Sequence, residues 1–430
     1  MDTNTIAIFI LLGVFFGLLL VKVPITFSLG LSAVATAMFL QIPLMSVAQQ
    51  VAKGISSFSL ITIPFFILAG EIMGQGGIST RLVNFSRVIV GRIRGGLAMV
   101  DVLACLFFGG LSGSSVADTT SIGSIMIPMM EKEGYDKDFA VDVTIVSATQ
   151  GVLVPPSHNM ILYSLAAGGI SISGLFLAGI IPGVLLGLSV MVFSYFIAVK
   201  RKYPVSERIP FKQKLFMLKD GILGLFTAVI IMGGIMSGIC TATESAALAT
   251  VYAFIITFFV YKDVPLSRMG DILRKSTKTI AMVMGLIAAS AAFGWMIAMV
   301  QLPALVTNAL ISITDNKILI FLLINLILLG LGMIMDMAPL ILIATPILLP
   351  VVVKFGMDPI QFGVILMLNL GIGLLTPPVG STLFVGCSIG NISIEKVVKS
   401  LMPFYVLMVA VLLVLTFVPA FSLFLPHMFQ

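Results

Sequence analysis

The sequence predicts an all-α polytopic membrane protein of two inverted repeats, with about 10–11 transmembrane helices and two re-entrant hairpins. Three observations predict it. Of 430 residues, 59% are hydrophobic and 10% charged, whereas a soluble chain of this size carries about 25% charge. Apolar runs of about 20 residues, long enough to cross a hydrocarbon core, recur from end to end. A set of residues also recurs in order at an offset of 222, as Gly110 to Gly332. A soluble fold has no interior able to hide so much apolar surface.

Spans are predicted over 6–21, 25–41, 56–77, 139–169, 173–199, 220–240, 244–261, 279–300, 359–390 and 398–425. The first is expected to persist in the mature chain. Met1-Asp2-Thr3 has no basic start, and no small-residue cleavage site follows. Between the spans, 21 of the 24 Lys and Arg fall on one side; only Lys53, Lys317 and Lys354 fall on the other. That split puts the basic side in the cytoplasm and the N-terminus outside, which is the periplasm if the membrane is a bacterial inner membrane. The net charge of +6 therefore reports topology rather than a nucleic-acid partner.

The repeat pairs Pro128 with Pro350, Gly134-x-Asp136 with Gly356-x-Asp358, Gly151 with Gly373, and Pro155-Pro156 with Pro377-Pro378. Five spans precede the linker, an odd number, so the second copy is expected to be inverted. The halves are 1–199 and 220–430, joined by a cytoplasmic linker, 200–219. Inverted repeats of this kind build secondary transporters.

Two apolar segments, 95–130 and 317–353, read as hairpins that leave on the side they enter. The arms of the first run about 16 residues, short of the roughly 20 of a span. Its turn is Ser112-Gly113-Ser114-Ser115; the second tip is Gly330-Leu331-Gly332. Before the first hairpin, Arg81 to Arg94 alternates polar and apolar residues at helical spacing and reads as a helix in the membrane interface.

Segments 139–169 and 359–390 are too long for one straight span, and each carries Gly followed by Pro-Pro at its middle. Proline removes an N–H and clashes with the preceding turn, so the helix must open there. Freed carbonyls in hydrocarbon cost several kcal/mol each unless something polar meets them. A sodium ion among carbonyl and hydroxyl oxygens fits. The expected donors are Gly151, Val154 and Pro156 with Ser112 and Ser115 in the first half. In the second they are Gly373, Thr376 and Pro378 with Gly330, Gly332 and Asp336. Helices leaving the breaks aim their N-termini at the same space, which favours an anion such as a carboxylate. The bland alternative is a pair of proline kinks satisfied by neighbouring Ser and Thr.

Ser114, Ser157, His158 and Pro377 are candidate substrate contacts. His158 has two readings: substrate or proton contact, or a helix-start histidine bonded to backbone. Asp118, Asp101 and Glu71 interrupt apolar runs, where a charge is usually functional; Asp118 also suits a brace within its hairpin. Glu244 reads as a cap on the seventh span. Gly179-x-x-x-Gly183-x-x-x-Gly187 is a close-packing face for this chain or a partner. Cys105, Cys240 and Cys387 lie in apolar runs and suggest neither disulfide nor metal chemistry. No phosphate-binding Gly-x-x-x-x-Gly-Lys loop and no nucleophile constellation occurs, so neither ATP hydrolysis nor enzyme catalysis is expected.

Four stretches carry a family resemblance: Ile63-Pro64-Phe65-Phe66-Ile67-Leu68-Ala69-Gly70, Gly110 through Thr119, Pro155-Pro156-Ser157, and Thr376-Pro377-Pro378-Val379-Gly380. Together they resemble the large membrane (M, DctM-like) subunit of tripartite ATP-independent periplasmic (TRAP) transporters. That family usually has Thr-Pro-Thr-Glu where this chain has Thr241-Ala242-Thr243-Glu244. The resemblance implies an ion-transporter-like elevator fold in a bacterial inner membrane. It implies import of a carboxylate, of the C4-dicarboxylate or sialic acid class, driven by two or more Na+. It also implies two partners, a small four-helix membrane (Q) subunit on a separate chain and a periplasmic substrate-binding protein (P). The competing readings are a stand-alone ion-coupled carboxylate carrier or antiporter, and a channel.

Overall fold

A computed structural model describes residues 3–205 and 209–429. Among these, every regular element is a helix. The chain opens with α1 (Thr3–Leu20), α2 (Ile25–Phe39) and α3 (Leu44–Gly54), then a 3-10 turn, Phe58–Ile61, leads into α4 (Thr62–Gln75). After α5 (Ile78–Val90), the first hairpin is α6 (Gly96–Ser112), α7 (Ser115–Ser121) and α8 (Gly123–Lys132). The first broken helix is α9 (Lys137–Ala148), α10 (Gln150–Leu153) and α11 (His158–Ala166). Next come α12 (Ile172–Lys200), α13 (Phe211–Met236) and α14 (Ala242–Ile255), which continues through a turn of π-helix, Ile256–Tyr261. They are followed by α15 (Met269–Met299) and α16 (Leu302–Ile313). The second hairpin is α17 (Lys317–Gly332) and α18 (Met337–Lys354), and the second broken helix is α19 (Pro359–Gly373) and α20 (Ser381–Gly390). The last two are α21 (Ile394–Phe417) and α22 (Ala420–Phe429).

Among the described residues, eight helices are long and apolar enough to cross a membrane, nine counting the pair bent by 49° about Pro155-Pro156. Shorter apolar helices supply hairpin arms and the second broken helix. Most predicted elements fall where expected, but α13 starts at Phe211, inside the stretch expected as linker, and α15 starts at Met269, ten residues ahead of the expected span. The span expected over 398–425 ends at Phe417, because Val418 leaves helical geometry ahead of Pro419 and α22 starts afresh. The interface helix stops at Val90, leaving Arg92 and Arg94 in the turn before the hairpin. Helix α3 was not expected; Gln49, Gln50 and Lys53 make its stretch read as a loop.

Local chemistry sets the boundaries. Asp358 accepts from the Ile360 and Gln361 N–H groups at the start of α19, and Asn316 from Ile318 at the start of α17. Thr241 and Glu244 form a reciprocal capping box on α14, so the expected cap is present without the proline.

Burial divides the helices. Every residue from Phe139 to Ala148 in α9 and from Gln361 to Gly373 in α19 is buried, whereas only 22% of the span is buried in α1 and in α13. The first arms of the two broken helices thus form the centre. The glycine face of α12 packs within the chain. A Cβ on Gly179 would lie 2.1 Å from the Leu153 carbonyl oxygen, and Gly183 and Gly187 face Val154 and Gln150. Small residues let α12 press against the opened backbone.

Candidate functional site: two hairpin tips against two opened helices

At the first break the chain is extended from Val154 to Ser157 and α11 begins at His158. The hairpin tip turns through Gly113, whose φ of +62° favours glycine, and Ser114 caps α7. The two backbones meet directly. A Cβ on Gly109 would lie 2.3 Å from the Gly151 Cα, and one on Gly151 would lie 2.2 Å from Asp118 Oδ2. At Gly110 it would lie 3.0 Å from the Pro155 oxygen. Asn159 Nδ2 donates to the Gly113 carbonyl at 3.2 Å, and the His158 ring hydrogen-bonds the Ser112 backbone.

The polar groups here are incompletely paired. Asp118 is fully buried; its Oδ1 accepts from Ser112 Oγ, while Oδ2 has no partner. The hydroxyls of Ser157 and Thr119 are buried without partners. Among the described residues no hydrogen bond reaches the carbonyls of Val154, Pro155 or Pro156. Buried polar atoms are normally satisfied, so a carboxylate oxygen, hydroxyls and bare carbonyls around one glycine contact make a donor set that fits a hard cation.

At the second break, Gly373 ends α19 and Gly380 precedes α20. A Cβ on Gly373 would lie 2.7 Å from the Gly332 Cα and carbonyl carbon. The Val379 N–H donates to the Met333 carbonyl at 3.1 Å, tying the break to the second tip. Thr376 Oγ1 donates to the Ile372 carbonyl at 2.8 Å, and the Ser381 hydroxyl is buried without a partner. The two sites are unequal: Pro155 and Pro156 are buried, but Pro377 is half-buried and Pro378 exposed. No carboxylate matches Asp118, since Leu340 stands at the corresponding position.

Three expected donors sit elsewhere. Gly330 is exposed with open space beside it, because two residues from Gly332 point to the other side of a helix. Asp336 is exposed at the N-cap of α18. Ser115 does not turn to the first break; its Oγ lies 3.0 Å from Thr382 Oγ1 of α20. That contact reveals an exchange. Helix α20, leaving the second break, packs on α7 and α8 of the first hairpin, and α11, leaving the first break, packs on α18 of the second. Ser381 and Thr382 are the first hydroxyl residues after Pro377-Pro378, as Ser157 is after Pro155-Pro156, which is the signal that could have found them.

A cavity of about 670 Å³ opens beside the first tip. Ser112, Ser114 and His158 line its inner end; Glu71 of α4 and Lys275 and Lys278 of α15 line its mouth. Ser157 is buried and Pro377 belongs to the second break, so of the four substrate candidates the cavity takes Ser114 and His158.

Residues 12–421 match the model of the family described as tripartite ATP-independent periplasmic transporter, DctM component. The chain belongs to this DctM family. It is 43% identical to a Salmonella typhimurium protein described as uncharacterized protein YgiK, over 98% of both chains. It is 39% identical to the sialic acid TRAP transporter large permease protein SiaM of Vibrio cholerae, over 96% of this chain and 97% of that one. It is 35% identical to the C4-dicarboxylate TRAP transporter large permease protein DctM of Rhodobacter capsulatus, over 97% and 98%. Among solved structures, the Alcanivorax borkumensis YdaH transporter superposes with a TM-score of 0.66 at 13% identity, covering 88% of this chain and 89% of that one. Neisseria gonorrhoeae MtrF gives 0.59 at 11%, covering 89% and 84%. These two share the fold. The DctM chain is thus a multi-pass membrane protein of a bacterial transporter family, a permease family rather than an enzyme family.

Proposed function

We propose that this chain is the membrane permease of a sodium-coupled carboxylate importer in a bacterial inner membrane, moving its substrate by an elevator motion. In this reading Na+ binds at each tip-and-break contact. At the first, the bare carbonyls of Val154 and Pro156 and the free oxygen of Asp118 hold it. At the second, the carbonyls of Thr376 and Pro378 do so beside Gly332 and Gly373. One observation carries the reading: two backbone-to-backbone glycine contacts, each beside an opened helix with unpaired oxygens. Neutralising these oxygens stabilises the closed tip, so cation loading and tip closure are one event. The N-terminus of α11 and the Ser114 hydroxyl then favour an anion beside the first ion.

Relatives named for C4-dicarboxylate, sialic acid and isethionate support a small acid anion as cargo. A periplasmic binding protein would deliver it. A small membrane subunit would be the second partner, as the family's tripartite description supports.

The test is uptake into proteoliposomes holding this chain, the small subunit and the binding protein. A sodium gradient should drive uptake, and Ser112→Ala or Thr376→Ala should weaken the sodium dependence more than assembly. Wild-type sodium dependence in both variants would remove the proposed sites. Uptake by this chain alone would favour the stand-alone carrier, and steady sodium conductance without substrate would favour a channel.

A further inference from the structure

We propose that Lys275 and Lys278, at the mouth of the 670 Å³ cavity, form a second binding station for a small carboxylate or sulfonate, between the hairpin-tip site and water. The proposal rests on the carboxylate reading above for the identity of the anion.

The station is built by an over-long helix. At 31 residues, α15 extends about 46 Å, well beyond a hydrocarbon core of about 30 Å. Its first turns therefore stand in the aqueous layer, and Lys275, Lys278 and Thr279 are exposed. Lys275 and Lys278, three residues apart, share one helix face. Both also line a second recess of about 370 Å³, where Arg268 and Arg274 join them. The two recesses share Gln75, Lys275 and Lys278, so the basic mouth leads into the cavity.

The two lysines differ in pairing. Lys275 Nζ is 3.7 Å from Glu71 Oε1, and Gln75 Nε2 holds that carboxylate at 2.6 Å. Among the described residues Lys278 has no carboxylate within ion-pair distance. Four cations thus face two acids, Glu71 and Asp271, across both recesses. A surplus of positive charge in a cleft with apolar walls concentrates anions there. The inner end continues with the Ser112 and Ser114 hydroxyls, His158 and the N-terminus of α11, all suited to an anion. A lipid headgroup would use the same cations, but only a small anion can follow the cavity to the hairpin tip. By microscopic reversibility the station also loads from water on its own side, so it steers re-entry as well as release.

The experiment uses the full chain in vesicles, with Cys240→Ser removing the one native cysteine that is not buried and Thr279→Cys as a reporter in the cavity wall. Its rates of modification by a sulfonate-bearing and a trimethylammonium-bearing methanethiosulfonate are compared. The anionic reagent should react faster. Lys278→Gln should lower the rate ratio roughly fivefold, and Glu71→Gln should raise it by a similar factor. At fixed ionic strength, at least one of succinate, isethionate and sialic acid should slow modification, and Lys278→Gln should weaken that protection roughly fivefold or more. A ratio unmoved by Lys278→Gln, or no protection by any of the three, overturns the proposal. Slowing only when phosphatidylglycerol replaces phosphatidylcholine assigns the cations to lipid and overturns it too. Sodium-driven uptake is measured separately: protection without uptake of any of the three defeats the import reading and leaves the station standing.

Discussion

Replacing Gly373 by Ala tests the contact on which the proposed ion sites depend. The added Cβ would lie 2.7 Å from two backbone atoms of Gly332, where ordinary contacts begin near 3.4 Å. Those atoms belong to the end of α17 and cannot swing away as a side chain would. The tip and the break must part by about 0.7 Å, and overpacking of this kind costs about 1–3 kcal/mol. If sodium binds only when tip and break are closed, that cost appears as a roughly 5- to 150-fold weaker apparent sodium affinity. Helical propensity acts in the opposite direction, since Ala favours a helix over Gly by about 0.5–1 kcal/mol. The expected signature is therefore weaker sodium dependence with little loss of basal thermal stability. Gly332→Ala, whose Cβ would lie 3.2 Å from the Gly373 Cα, should act in the same direction and less. Gly330→Ala, which meets nothing within 4 Å, should behave as wild type. Sodium titrations of uptake and of melting temperature measure the series. Wild-type sodium dependence in Gly373→Ala, or equal damage from Gly330→Ala, would refute the reasoning.

Three further outcomes are expected. Asp118→Asn should keep a partner for Ser112 while removing the charge beside Gly151, so sodium should no longer raise the melting temperature, though the sodium-free protein remains folded. Arg81 pairs with Asp220 at 2.9 Å and with Asp263, and stacks 3.7 Å over the Tyr261 ring. Arg81→Ala leaves two acids facing each other and should cost about 1–3 kcal/mol in detergent unfolding, with Arg81→Lys recovering only part because it lacks the planar fork. At the linker, the Tyr203 hydroxyl, with help from Arg201, holds the Asp136 carboxyl below its ordinary value of 3.8. A depressed value means stability present above pH 3.8 and lost as pH falls below it. Tyr203→Phe should flatten that acid limb in a pH series of unfolding midpoints.

Much of this architecture was legible because membrane physics leaves few choices. Apolar length marks a span, Pro-Pro within one marks an opened helix, and a 222-residue offset aligns the pairs. Gly151, Gly332 and Gly373, expected as carbonyl donors, also proved to be backbone contact points, as did Gly109, which the sequence did not single out. What the chain did not disclose depends on rotation and distance. Gly330 and Gly332 look equivalent in a string of letters but lie on different sides of α17. The Ser115–Thr382 contact joins residues 267 apart in sequence, and no local rule pairs them. Asp118 read as a functional charge or as a brace within its hairpin, and no sequence rule shows that its Oδ1 meets Ser112 while its unpaired Oδ2 lies against Gly151. Lys275 and Lys278 read as loop-side charges until the length of α15 set them at a cavity mouth.

The exchange of partners between the two breaks has a consequence for biogenesis. Helix α11 (His158–Ala166) packs against α18 (Met337–Lys354), so its cover is synthesised long after it has left the ribosome. Until then, the first Pro-Pro opening must wait in the insertion machinery or the bilayer with a polar flank exposed. An intermediate that ends at the linker is therefore a natural client for a membrane chaperone or a quality-control protease. The two halves are assembled as one interlocked object rather than as successive finished modules.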